Sequence, residues 1–189
     1  MIIKGFFFDL DGTLVNTHEA NFLAYQSAVE SIKSVTLGPE LLVSIQAGGN
    51  SNAFLLKLLP SLSLDEVKAI NQKKKDLYPQ YVHASKLNTY LSIFLQQMAE
   101  HHVTALVTTA KRQNAMAVLS QHNLEKYFSF MVFGEDVSNM KPDPEAYLTA
   151  LQRAGLEPAE VLSFEDSLQG IQAAEAAGIT VVHIKDFVC

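Results

Sequence analysis

The sequence predicts an α/β fold in which a doubly wound parallel sheet carries an inserted helical cap. Short apolar runs alternate with amphipathic helical patterns through residues 86–189, which is typical of strands joined by right-handed helical crossovers. Residues from about 15 to about 85 show helical patterns and no strand pattern. Polar groups directly follow several of the apolar runs. We therefore expect an α/β core formed by residues 1–15 and 86–189, and a helical cap formed by residues 16–85.

Length and composition narrow the possible functions. A chain of 189 residues that is 48% hydrophobic can bury a substantial core. Its formal net charge of −6 argues against nonspecific binding to nucleic acid or to an anionic membrane. No stretch reaches the roughly 18 apolar residues of a membrane span, and no secretory signal pattern precedes the first strand, so a cytoplasmic location is expected. Cys189 is the only cysteine, which excludes an internal disulfide and a thiolate metal site.

The first predicted strand ends in two aspartates. Residues 2–8 form a short run rich in β-branched and aromatic side chains, and Asp9 and Asp11 follow it directly. Two residues apart in extended backbone, the two carboxylates leave the same face, and Gly12 permits a sharp turn after them. Carboxylates this close repel each other unless a cation or a shared proton relieves them. A metal-holding or catalytic pair is one interpretation, and a solvated strand-to-turn junction is the other.

The residue pattern of the cap region predicts a series of helices. The first has apolar side chains at spacings of three and four, with Thr17 as a candidate N-cap. The predicted helices cover residues 16–35, 40–46, 53–59 and 65–82. The loop that contains Gly48, Gly49 and Asn50 is a candidate for substrate discrimination, or a plain turn between helices.

The second half of the chain supplies the remaining strands of the core. The predicted helices are 87–101, 111–122, 144–154 and 167–177, and the predicted strands are 102–108, 128–133, 161–164 and 179–184. Parallel sheets bind ligands beyond the carboxyl ends of their strands. Polar groups concentrate there or in the loops beyond: Thr108 and Thr109 follow one strand, Glu165 and Asp166 follow another, and Lys141 precedes Pro142 in a loop.

Four segments of the chain resemble, in their order, the motifs of the haloacid dehalogenase-like (HAD) hydrolase superfamily: Asp9 to Thr13, Thr108 with Thr109, Lys141, and Glu165 with Asp166. The stretch from Glu165 to Ala174 looks especially like the branch that contains β-phosphoglucomutase and phosphoglycolate phosphatase, whose members combine a Rossmann-like core with a small helical cap. The resemblance implies a phosphatase in which Asp9 is the nucleophile and forms an aspartyl phosphate. Asp11 would act as the acid and base for the leaving alcohol and the attacking water.

A phosphomonoester is dianionic, so a carboxylate can attack it only if cations offset the repulsion. Mg²⁺ prefers oxygen ligands, which Asp9, the Asp11 carbonyl, Asp166 and Glu165 could supply, the last directly or through water. Lys141 would contact the phosphoryl oxygens and help to hold Asp9 ionised. The remaining phosphate contacts would come from the Thr108 hydroxyl and from backbone N–H groups at Leu10, Asp11 and Thr109.

Other interpretations stay open at this point. A phosphosugar mutase would have to bind a second phosphate, yet no arginine occurs before Arg112, although cap lysines could substitute. Asn16 stands where relatives commonly carry Asp, near the expected cap hinge. A binding module without catalysis would also keep the fold. The expected partner is a small phosphorylated metabolite, with no nucleic acid and no membrane, and the chain could be a monomer or a homodimer.

Overall fold

The structure, a computed structural model, describes residues 2–46 and 51–185. The chain divides into two compact units. The first, here called the core unit, comprises Met1–Asn16 and Lys86–Cys189, and the second, the helical unit, comprises Thr17–Ser85. The loop residues Gly48, Gly49 and Asn50 lie outside the described residues, so their suggested role in discrimination remains a prediction.

The two units contain seven strands and eight α-helices within the described residues. The strands are β1 (Gly5–Phe8), β2 (Val15–Asn16), β3 (Lys86–Leu87), β4 (Val103–Val107), β5 (Phe130–Val132), β6 (Val161–Glu165) and β7 (Thr180–His183). The helices are α1 (His18–Lys33), α2 (Glu40–Gln46), α3 (Ser51–Leu58), α4 (Leu64–Tyr81), α5 (Thr89–Met98), α6 (Arg112–Gln121), α7 (Glu145–Ala154) and α8 (Leu168–Ala176). No helix in the described ranges is both long and apolar enough to cross a bilayer.

Five strands of the core unit form one sheet in the order β5-β4-β1-β6-β7. Every neighbouring pair is parallel, which confirms the predicted sheet. Within this sheet, the next strand along the chain after β1 is β4, on one side of it. The next strand after β6 is β7, which lies on the other side of the sheet. The connections of β1 and β6 therefore diverge, and this is the topological switch point where open α/β sheets bind ligands.

Helices cover both faces of the sheet, as a doubly wound fold requires. On one face, α7 and α8 pack over a buried cluster that includes Phe7, Val107 and Tyr147. On the other face, Phe8 stacks on Phe164 with ring centroids 4.8 Å apart, and Phe94 of α5 packs against Phe164 at 5.4 Å. The alternation along β1 explains this arrangement, because successive side chains of a strand point to opposite faces.

A two-stranded antiparallel ladder, β2 with β3, was not predicted. It pairs Val15 with Leu87, so the expectations of no strand from about residue 15 and of a helix from residue 87 were wrong at these positions. The cause is local. The Asn88 side chain accepts a hydrogen bond from the Leu91 N–H, and the Asn88 backbone N–H donates to the Leu14 carbonyl. Helix α5 therefore begins after Asn88, and Leu87 remains extended.

The helical unit has its own apolar core between α1, α2, α3 and α4. Val29, Leu41, Leu55 and Ile70 are fully buried or nearly so within it. Thr17 precedes α1 as predicted, but its hydroxyl forms no capping bond and instead accepts a hydrogen bond from the Asn21 side chain at 3.1 Å. The predicted capping role of Thr17 was therefore wrong.

Candidate active site

Three carboxylates converge at the carboxyl ends of β1 and β6. Phe8 pairs with Phe164 across these strands, so Asp9, the next residue after Phe8, lies beside Glu165. The Asp9 N–H also donates to the Phe164 carbonyl at 3.1 Å. Oxygen atoms of Asp9, Glu165 and Asp166 all lie within 4.8 Å of one another. The switch point of the sheet thus carries a compact acidic cluster.

Lys141 joins two of these carboxylates. Its Nζ donates to Asp9 Oδ1 at 2.8 Å and to Glu165 Oε1 at 2.5 Å, and a third bond reaches the Val107 carbonyl at 2.8 Å. The side chain is 4% exposed. Burial alone would lower the pKa of Lys141, but the negative charges of Asp9 and Glu165 outweigh it and raise that pKa. The ammonium is therefore charged, and all three of its donors are used.

Tyr147 of α7 completes the environment of Glu165. Its phenol donates a hydrogen bond to the same Oε1 atom that Lys141 contacts. Tyr147 could not be distinguished from a core residue in the sequence, because it lies in the apolar stripe of α7 with Ala146 and Ala150. The available signal was the hydroxyl itself, since a tyrosine in a buried stripe needs a polar partner where a phenylalanine would not.

Thr13 and Gly12 hold Asp166. The Thr13 hydroxyl donates to Asp166 Oδ1 at 3.2 Å, a contact that the sequence analysis did not anticipate. Gly12 has a φ of +89°, and a Cβ there would lie 2.1 Å from Asp166 Oδ2. Any larger residue would collide with this carboxylate, which supports the predicted sharp turn. His183 is exposed, and its Nε2 lies 3.2 Å from the Asp166 carbonyl oxygen.

The charge balance of the cluster fits a bound divalent cation. Burial, followed by the charge of Asp9, raises the pKa of Glu165 to about 8 and raises the pKa of Asp166 above its ordinary value. Lys141 is the one ammonium bonded to the cluster within the described residues. Glu165 Oε2 is buried and has no hydrogen-bond partner among them. Three clustered oxygen donors with an excess of negative charge suit a hard ion such as Mg²⁺.

The other predicted residues occupy neighbouring positions. Thr108 is buried at the end of β4, the strand next to β1, and its hydroxyl accepts from the Ala110 N–H at 3.0 Å. Thr109 is exposed and Leu10 is fully buried. Asp11 is half-buried and does not belong to the cluster of three carboxylates. The structure therefore brings Asp9, Lys141, Glu165 and Asp166 together.

Comparison with known proteins decides the family. The sequence pattern described as haloacid dehalogenase-like hydrolase matches residues 6–184. The chain belongs to the haloacid dehalogenase-like hydrolases. The resemblance drawn from the four motifs is thereby confirmed.

Named HAD-like relatives cover most of the chain. A phosphorylated carbohydrates phosphatase from Thermotoga maritima is 34% identical over 183 residues, which span 93% of this chain and 82% of the relative. A phosphoglycolate phosphatase from Pectobacterium atrosepticum is 30% identical over 183 residues, spanning 93% and 77%. Among solved structures, a HAD-superfamily hydrolase of subfamily IA from Geobacter sulfurreducens matches with a TM-score of 0.80 at 26% identity, covering 99% of this chain and 89% of that one.

Proposed function

We propose that the protein is a Mg²⁺-dependent phosphatase that hydrolyses a small phosphorylated metabolite through an aspartyl phosphate on Asp9. The observation that carries the proposal is the position of Lys141, whose ammonium bonds to Asp9 and Glu165 while Asp166 lies close by. This arrangement places the Asp9 carboxylate beside a buried ammonium. It is the charge pattern that an attack by a carboxylate on a phosphate dianion requires.

The ligands for Mg²⁺ would be Asp9, Asp166 and the Asp11 carbonyl, with Glu165 binding directly or through water. When bound, the ion would offset negative charge on the phosphoryl oxygens. The cluster would then carry enough positive charge, with Lys141, to accept a dianionic group.

The reaction would proceed in two displacements on phosphorus. An Asp9 oxygen would attack phosphorus, the bond from phosphorus to the substrate oxygen would break, and Asp11 would give its proton to the leaving alcohol. Asp11 would then take a proton from a water molecule as that water attacks the aspartyl phosphate. Inorganic phosphate would leave, and Asp9 would return as a carboxylate.

Further groups at the strand ends would hold the phosphoryl oxygens. Lys141 would give up one of its other two bonds to contact one oxygen while it keeps its bond to Glu165, and the Thr108 hydroxyl would contact another. The backbone N–H groups of Leu10, Asp11 and Thr109 would form the rest of the cradle. Dehalogenase chemistry, by contrast, has no need for Asp11 as an acid or for the clustered carboxylates.

The substrate class is inferred from the relatives. The Thermotoga protein is named for phosphorylated carbohydrates and the Pectobacterium protein for phosphoglycolate, so we place the substrate among phosphosugars and phosphoglycolate-type compounds. The helical unit would act as the cap that discriminates among them. A mutase would return the phosphoryl group to the substrate instead of releasing it.

A panel of phosphorylated metabolites, with phosphate release measured with Mg²⁺ and with EDTA, tests the proposal. Release should require Mg²⁺, and Asp9→Asn should reduce it by at least about a thousandfold, because the residual chemistry would lack a nucleophile. Asp65→Asn, at an exposed site in the helical unit, is the matched control and should retain full activity. Undiminished turnover by Asp9→Asn would contradict the nucleophile, and movement of phosphate within a sugar without release would identify a mutase.

A further inference from the structure

We propose that Tyr147 is a positioning residue that fixes Glu165, and through Glu165 the shared ammonium of Lys141, in the geometry that binds Mg²⁺ and orients Asp9. The inference deepens the proposed function and rests on it for the identity of the ion. It concerns a residue of α7 that has no place among the four motifs.

Tyr147 and Lys141 share one oxygen atom of Glu165. Glu165 Oε1 accepts hydrogen bonds from both the Tyr147 phenol and the Lys141 ammonium, and the Glu165 side chain is fully buried. Two donors at one oxygen fix the rotation of the carboxylate about its last bond. They also leave Oε2 as the oxygen that can make a further contact, since it has no hydrogen-bond partner within the described residues.

There is little space around Glu165 Oε2. A Cβ on Gly170 of α8 would lie 1.9 Å from this oxygen, so the backbone of α8 closes one side of the carboxylate. Glu165 is therefore held between Tyr147 on one helix and Gly170 on the next. Because the phenol provides one of these two restraints, its loss changes the position of the carboxylate.

Tyr147 is itself held in place. Its side chain is fully buried in the apolar cluster under α7 and α8, and its phenol is directed at Glu165. Its ring also lies 5.2 Å from Lys141 Nζ, a contact that a phenylalanine would preserve.

Tyr147→Phe isolates the hydroxyl, because it keeps the ring, the packing and the contact with Lys141. We expect Mg²⁺ affinity, measured by calorimetry on the purified protein, to fall by about 10- to 100-fold, the usual effect of losing a partner behind a metal ligand. At saturating Mg²⁺, kcat should fall while KM for the phosphorylated substrate changes less than about twofold, since Tyr147 would not touch substrate.

The matched control is Tyr127→Phe. Tyr127 lies just before β5, and its carbonyl accepts a hydrogen bond from Thr104 near the start of β4, at the opposite end of the strands from Asp9. This variant should keep wild-type Mg²⁺ affinity and kcat. A double variant with Glu165→Gln then tests whether Tyr147 affects Mg²⁺ binding through Glu165. Once that carboxylate is gone, Tyr147→Phe should weaken Mg²⁺ binding less than about twofold.

The outcomes separate the two proposals. Wild-type Mg²⁺ affinity and kcat in Tyr147→Phe would show that the tyrosine only fills the core, and would overturn the inference. An equal effect of Tyr147→Phe with and without Glu165→Gln would overturn the route through Glu165. If the wild-type protein binds Mg²⁺ but hydrolyses no phosphomonoester, the proposed function fails, and weaker Mg²⁺ binding by Tyr147→Phe would still support the positioning role.

Discussion

The ammonium of Lys141 lies 2.8 Å from Asp9 Oδ1, although 132 positions separate the two residues in the chain. The contact exists because β1 is central in the sheet and the loop before α7 reaches its carboxyl end. Lys141 also bonds to Glu165, so a single cation is shared by two carboxylates that come from neighbouring strands. The chemistry proposed for Asp9 depends on this shared ion pair.

The burial of this pair leads to the first prediction. Lys141→Met leaves Asp9 and Glu165 without their ammonium, and breaking a buried ion pair in this way costs about 3–5 kcal/mol of unfolding free energy. Lys4→Met is the control, because Lys4 Nζ also lies 2.5 Å from a carboxylate, that of Glu160, but its side chain is 56% exposed. Urea unfolding in EDTA should show a large loss for the first variant and little change for the second. Equal losses would mean that burial does not determine the energy of the pair.

A second prediction concerns Gly170 in α8. Replacing glycine with alanine inside a helix normally stabilises it by roughly 0.5–1 kcal/mol. Here the added Cβ would collide with Glu165 Oε2, so we expect Gly170→Ala to destabilise the protein by about 1–3 kcal/mol and to weaken Mg²⁺ binding. Gly155→Ala is the control. A Cβ on Gly155 would meet no atom within 4 Å, so this variant should leave Mg²⁺ binding unchanged, although the φ of Gly155 is +64°. A more stable Gly170→Ala protein would contradict the close approach.

Thr13 provides a third prediction. Thr13→Val removes the hydroxyl that donates to Asp166, and the Mg²⁺ affinity should fall by about tenfold. Thr104→Val removes a hydroxyl that donates to the Tyr127 carbonyl at 2.6 Å, far from the carboxylates in the sheet. That variant should lose about 1 kcal/mol of stability and bind Mg²⁺ normally. Calorimetry and thermal unfolding of both proteins would reveal the contrast, and unchanged Mg²⁺ binding by Thr13→Val would refute it.

The fourth prediction concerns pH and the helical unit. A hydrogen bond from Lys33, followed by one from the Ser63 backbone, lowers the pKa of Glu66 from 4.5 to about 2. Because the folded state lowers this pKa, the ionised carboxylate contributes stability above pH 4.5, and the contribution disappears as the pH falls towards 2. The urea midpoint of the wild type should therefore exceed that of Glu66→Gln at pH 6 and approach it below pH 4. Equal urea midpoints of the wild type and Glu66→Gln at pH 6 would contradict this prediction.

The sequence was most informative where chemistry and strand ends coincide. Asp9, Glu165 and Asp166 could be assigned to one edge because parallel strands carry their carboxyl ends together, and the structure places them within 4.8 Å. Lys141 could be included because a lysine at that point in the motif order had a clear electrostatic role. These inferences needed residue types and approximate strand positions, and no knowledge of side-chain conformations.

Tyr147 and Thr13 could not be identified in the same way. Tyr147 has the spacing of a core residue, and its role emerges only when the packing of α7 directs its phenol at Glu165. Thr13 reaches Asp166 across 153 positions of sequence. The ladder of β2 and β3 was missed because two residues are too few to show an alternating pattern. In each case a long-range contact determines the outcome, and local periodicity contains no information about it.

The ladder of β2 and β3 has an evolutionary consequence. Asn16 pairs with Lys86 in antiparallel register, so the chain leaves the core unit and returns to it on adjacent strands, which are roughly 5 Å apart in such ladders. A two-residue turn between them would close an ordinary hairpin. Thr17–Ser85 can therefore be exchanged as a cassette while the five-stranded sheet of the core unit keeps its strand order.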